Sequence, residues 1–155
     1  MSATKSVQGA QTILSIGSGG TNETFTAILQ LKTYQFSGQQ WKYDDVTNAG
    51  SPAQGPGVFE EPLPVTMSGG TLAVSGVFLP SDPGQTALAA GFNGGTLIDF
   101  KLQLPKAPGQ TTAGNMYAFS AYVQEFPLPD IQFDRAMTIK ASLKIASPIV
   151  LTPGS

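Results

Sequence analysis

The chain has no cysteine and no histidine among its 155 residues. The first absence removes disulfides, thiolate nucleophiles and thiolate metal sites together. The second removes the commonest general base and the commonest metal ligand. Charge is also scarce. Only 12% of the residues are Asp, Glu, Lys or Arg, about half the usual share. With a formal net charge of -2, long-range fields neither attract nucleic acid strongly nor hold copies of the chain apart. Arg135 is the single arginine and the seven lysines are scattered from Lys5 to Lys144, so no basic patch is in place to track phosphates. No apolar run approaches the roughly 18 residues of a membrane helix. The opening MSATKSVQGAQ lacks the apolar h-region of a secretory signal, so the reading expects no membrane partner and synthesis in a cytoplasm.

The motifs of chemistry are missing too. Gly17-Ser18-Gly19-Gly20 follows a strand candidate but opens no helix, and no Gly-Lys-Ser/Thr occurs, so phosphate cradling has no support. A nucleophilic serine would need lysine as its base, and the nearest arrangement, Ser142-Leu143-Lys144, has strand character. Asp44-Asp45 and Glu60-Glu61 are adjacent pairs. Neighbours on an extended backbone point to opposite faces, which makes neither pair a shared-proton dyad or a metal clamp. The reading is no enzyme, no metal and no cofactor.

What remains is a turn-rich β composition: 41% apolar residues, Gly 18 and Pro 12, with a mean hydropathy of +0.03. The length fits one domain with a real core. Residues 1–9 read as a polar, mobile arm, and Gln11 to Ile16 as a short strand. Residues 23–36 alternate, with Phe25, Ala27, Leu29 and Leu31 on one face and Ile28 interrupting the other; this predicts one long strand. Trp41 to Asp45 then pairs back across Ser37-Gly38 as its hairpin partner. The stretch 47–64 holds four prolines and three glycines and is expected to lack regular structure. Strands follow at 65–67 and 71–79, around Ser68-Gly69-Gly70.

One helix is predicted at about 82–93. Asp82 caps it, Pro83 opens it, Gln85 sits where a capping-box side chain reaches back, and Leu88 and Phe92 share a buried face. Asn93-Gly94 ends it. Its glycines, Gly84 and Gly91, weaken it, so packing on a sheet must hold it. Three further strands are predicted from TLIDFKLQL, NMYAFSAYVQEF and AMTIKASLKIA. In the first, Asp99, Lys101 and Gln103 oppose Ile98, Phe100 and Leu102. The fold class is therefore mainly β with one short helix.

The stretch DDVTNAGS, residues 44–51, is the most polar feature. Asp44, Asp45, Thr47, Asn48 and Ser51 suit either the rim of a site or an Asx- or ST-type turn whose side chains bond local backbone. The aromatics Tyr34, Phe36, Trp41 and Tyr43 suit a stacking platform or hairpin packing. Long strands with uncovered edges invite pairing with other copies, and closure into a ring removes the edges.

The order of segments resembles a known family. TILSIGSGGTNETFTAILQLKTYQFSG, YDDVTNAGSP, GVFLPSDPGQTALAAGFNGGTLIDFKLQLP and YAFSAYVQEFPLP are together similar to the major tail tube proteins of long-tailed, lambda-like siphophages. The likeness runs from about residue 10 to about 147.

It implies a β-sandwich- or barrel-like subunit with one flanking helix. Homo-hexameric rings stack into a tail tube around a tape-measure protein, between a tail terminator and distal tail proteins. Double-stranded DNA passes through the bore during ejection without specific binding. The resemblance places the protein in a virion assembled in the host cytoplasm. It assigns neighbour-ring contacts to the N-terminal arm, with Ile13, Leu14 and Ile16, and to the loop 46–64 entered through Asp44, Asp45, Val46, Thr47, Asn48 and Ser51. Residues 148–155 become a C-terminal tail with no immunoglobulin-like domain after it. Asp99, Gln103 and Glu125 are candidates for polar faces near the bore, where neutral and acidic groups let DNA slide. Lys101, Lys140 and Lys144 complicate that assignment. The rival readings are the tube of a type VI or related injection machine, and a monomeric carbohydrate-binding β-sandwich that uses Trp41 and Tyr43.

Overall fold

A computed structural model describes residues 12–155. The arm expected over residues 1–9 lies outside the described residues. The main body is an eight-stranded antiparallel sheet. Its strands are β1 (Ile13–Gly17), β2 (Phe25–Ala27), β3 (Leu31–Ser37), β8 (Thr71–Val77), β9 (Leu97–Gln103), β10 (Met116–Glu125), β11 (Thr138–Ile145) and β12 (Val150–Thr152). Two pairs stand apart: β4 (Gln40–Asp45) with β7 (Pro62–Ser68), and β5 (Ala53–Gln54) with β6 (Gly57–Val58). One helix, α1, covers Pro83–Gly94.

The strand order is β2-β1-β9-β10-β11-β8-β3, with β12 also on β10. The second edge of β10 is shared, because β12 takes Met116–Ala118 and β11 takes Ala121–Glu125. Past that division the sheet curls, and its two walls face each other. Phe36 of β3 meets Phe119 of β10 edge-on at 6.0 Å, and Phe119 stacks on Phe100 at 5.8 Å. Such ring pairs add about 0.5–1.5 kcal/mol to their burial. The Tyr34 hydroxyl donates to the Thr12 carbonyl at 3.2 Å and ties the far wall to the start of β1. The alternation in the last three long strands supplies the core: Phe100 and Leu102, then Phe119 and Ala121, then Ile139 and Leu143 are all buried.

The predicted long strand over 23–36 is two strands. Gln30 turns the chain with a φ of 62°, which sends β2 and β3 to opposite ends of the strand order. The residue that interrupts the alternation, Ile28, is buried, whereas Leu29 is exposed. The break is held from outside. The Asp82 carboxylate accepts the Leu29 N–H at 3.0 Å, and the Gln85 side-chain amide donates to the Leu29 carbonyl at 3.1 Å.

Helix α1 starts as predicted, with Asp82 also accepting the Gln85 N–H at 3.2 Å and Pro83 in the first turn. Gln85 does not complete a capping box. Its side chain accepts the Leu79 N–H and donates to the Val77 and Leu29 carbonyls, which leaves none of it for the cap backbone. Leu88 is buried, but Phe92 is largely exposed, so the shared buried face ends before the last turn. The left-handed residue that closes the helix is Gly95, with φ 60°, one residue later than expected. At Gly84, a Cβ would lie 2.6 Å from the Ala27 carbonyl oxygen. The glycine that weakens the helix is what lets it touch the chain break.

Candidate assembly surface

Trp41–Asp45 does not pair with the strand before it. Its partner is β7, in register Trp41↔Met67 and Lys42↔Thr66, with a bulge before Tyr43↔Pro64. Residues 47–64, expected to be irregular, instead contain β5, β6 and the start of β7. The whole of 40–68 is thus an extended hairpin capped by a smaller one. Period-two alternation in PLPVTM (Leu63, Val65, Met67) is the sequence signal for β7, and the prolines mask it. Pro is tolerated there because β7 is an edge strand.

This hairpin is exposed on both sides over nearly its full length. Trp41, Tyr43, Leu63, Val65 and Met67 each keep about half their surface in contact with water. A two-stranded ribbon with that much bare apolar area is marginal alone in water.

The polar turn at its far end is self-contained. Asp45 accepts both the Thr47 N–H, at 2.9 Å, and the Thr47 hydroxyl. Those two bonds hold the Asp45 carboxyl below its ordinary value of 3.8. Asn48 accepts the Gly50 N–H at 2.7 Å and donates to the Val46 carbonyl at 3.2 Å. The buried Ser51 hydroxyl accepts the Asn48 N–H at 2.9 Å. Thr47 reaches across the hairpin and accepts the Glu61 N–H at 2.8 Å. The polar side chains of DDVTNAGS bond backbone or one another, apart from the Asp44 carboxylate, which is exposed. Val46 is exposed at the same turn. Among the described residues no cluster of three or more carboxylates is placed to hold a metal.

Other predicted residues separate. Leu14 and Ile16 are buried in the subunit's own core, where β1 pairs with β9. The arm contacts expected of Ile13, Leu14 and Ile16 therefore narrow to Ile13, which is exposed. Asp99 and Gln103 lie on the outer face of the β2-β1-β9-β10 wall. Asp99 accepts the Ser120 hydroxyl, and the Gln103 amide is spent on the carbonyls of Leu104, Gly114 and Asn115. Partial desolvation, then the hydrogen bond to Asp99, pushes the Glu23 carboxyl above its ordinary value. Lys101 shares this face, with its ammonium 4.0 Å from the centre of the Phe25 ring. Lys140 and Lys144 are on the opposite wall, across from Ser75 and Thr71. Glu125 lies beyond a bulge at the end of β10, outside the alternation. The residues expected as a plain tail, 148–155, include β12 on β10.

Three further surfaces stand out, and the sequence reading anticipated only the first in kind. One is the set of free edges: β2 and β3 end the strand order, and each has one side without a strand partner among the described residues. Another is an apolar cleft of about 1370 Å³ between β3 and the β9-β10 wall, lined by Tyr34, Phe36, Leu104, Tyr117 and Ile149. The last is the connection between β10 and β11, where Leu128, Ile131 and Phe133 stand in solvent.

No protein-family model and no curated protein matches the sequence. The fold, however, has close counterparts. The subunit overlays a chain from the tail of an empty gene transfer agent particle, a C6-symmetric structure, with TM-score 0.68 at 17% identity, covering 95% of this chain and 99% of that one. The fold is one shared with chains of phage-like tails and tail tubes. A chain of the SPP1 tail tube matches with TM-score 0.64 at 13% identity, over 97% of this chain and 80% of that one. A chain of the PVC extracellular contractile injection system, from its sheath-tube complex, matches with TM-score 0.67 at 10% identity over 96% and 92%.

Proposed function

We propose that the protein is a structural virion component whose copies close into six-membered rings and stack into a tail tube, the conduit through which double-stranded DNA leaves the particle. The observation that carries this reading is the hairpin 40–68, bare on both faces and rich in apolar side chains, on a subunit whose sheet ends in unpaired edges. Neighbours in a ring supply strands for the edges, and neighbours in the next ring cover the hairpin. Asp44 to Ser51 form the rigid turn that presents Val46 and the tip. Sparse charge, net -2 over the chain, suits both dense homotypic packing and passage of DNA without capture. A tape-measure protein would set the tube's length, and terminator and distal proteins would close its ends. The tail tube of a lambda-like siphophage fits these features.

A second reading, the tube of a contractile injection machine, draws support from the likeness to the PVC sheath-tube chain. The contents of native particles separate the two, since packaged double-stranded DNA favours the first reading and particles without it favour the second. Sedimentation and negative-stain microscopy of the purified protein test the shared part. Rings or tubes are the expected result. A monodisperse monomer at every concentration, as a carbohydrate-binding sandwich would give, overturns it.

A further inference from the structure

The connection 126–137, FPLPDIQFDRAM, exposes large apolar side chains more fully than any other part of the described chain. Leu128 is 90% exposed, Ile131 78% and Phe133 108%. A single surface leucine is ordinary, but three large side chains on one loop mark a contact site. The loop is nonetheless placed. Asp130 and Thr138 bond each other's backbone, and the Phe78 N–H donates to the Met137 carbonyl at 2.8 Å.

Its position relative to the hairpin is informative. Strand β8 pairs with β11 from Thr71↔Lys144 to Val77↔Thr138. The hairpin joins β8 at its Thr71 end through Ser68 to Gly70, and the loop joins β11 at Thr138, beside the Val77 end. The two apolar features therefore leave the same sheet at opposite ends. β8 has 7 residues, which at about 3.3 Å each puts roughly 20 Å between them. Both strands of the hairpin and the three loop side chains are exposed, so the chain does not lay its own hairpin on its own loop.

We infer that the loop 126–137 is the seat for the hairpin 40–68 of a second copy in the next ring, with Leu128, Ile131 and Phe133 receiving side chains such as Trp41, Val65 and Met67. This rests on the ring-stacking reading and adds the receiving surface to it. Contact between two different patches at opposite ends of one molecule is heterologous. It does not close on itself, and it propagates as an open stack. The far part of the hairpin carries Asp44, Asp45, Glu60 and Glu61, and the loop carries Asp130, Asp134 and Arg135, so apolar area rather than charge favours the contact.

Hydrogen exchange on the unmodified chain, compared between dispersed subunits and assembled tubes, tests the inference. The expected result is a rise in protection of at least tenfold on tube formation in both 40–68 and 126–137. Tubes that protect the hairpin but leave 126–137 unchanged overturn this inference alone. A protein that never forms tubes overturns the stacking reading itself, and this inference with it. The absence of native cysteine allows a second measurement. Mixed M67C and F133C subunits should form a disulfide-linked dimer only when both are present and assembled. Tubes from that mixture without the mixed disulfide count against the seat.

Discussion

At the scale of single residues, two polar side chains hold a turning point of the fold. Asp82 and Gln85 together take up both backbone groups of Leu29 and so fix the chain break that divides β2 from β3. The Asp-Pro-Gly-Gln spelling announced a helix start, but not that its side chains would be spent on a distant segment. A capping box is a local pattern, and Leu29 lies more than fifty positions away in sequence. Replacing Gln85 by alanine leaves the Leu79 N–H and two carbonyls without this partner. We predict a loss of about 1–3 kcal/mol, read as a lower denaturant midpoint of the dispersed subunit with an unchanged slope. A midpoint equal to that of the parent would contradict the latch.

Asp45 makes a prediction in pH. Its folded value is depressed by the two Thr47 bonds, so its contribution to the turn is present above the ordinary 3.8 and is lost as pH falls through the lower folded value. The Thr47 amide resonance should therefore titrate with a midpoint below 3.8. A midpoint at or above 3.8 would mean that the Asp45–Thr47 bonds do not form in solution. This turn was legible in the sequence because Asx and ST bonding is a short-range property.

Among the elements, legibility follows the range of the interactions. The alternation of β9, β10 and β11 read correctly because both walls of the core impose a strict in-out period on them. The segment 23–36 misled for the same reason: its alternation is real, but Gln30 and the helix break it into strands that serve different edges. The pairing of β4 with β7 was hidden because the prolines mask the alternation of β7 and neither face of the hairpin is buried within the chain. That exposure bears on function. Met67 is exposed, and the buried core draws no residue from the hairpin 40–68. Met67→Asp should leave the unfolding free energy of the dispersed subunit within about 0.5 kcal/mol while abolishing tube growth. Loss of subunit stability in step with assembly would show instead that the hairpin is part of the monomer's own core.

For the whole molecule, the sequence carried the mainly β class and the helix at Pro83–Gly94. It did not carry the curl of the sheet or the loop 126–137, since both depend on which strands become neighbours. The account that joins these parts is that one copy leaves its β-structure incomplete and other copies finish it. Cryo-electron microscopy of the assembled protein tests this most directly. The account predicts a ring in which a free edge of each subunit's sheet runs on into the next subunit at the strand spacing of about 4.8 Å, with every hairpin 40–68 covered by an adjacent ring. Subunits that meet only through loops, with the β2 and β3 edges and the hairpin still facing water, would contradict it.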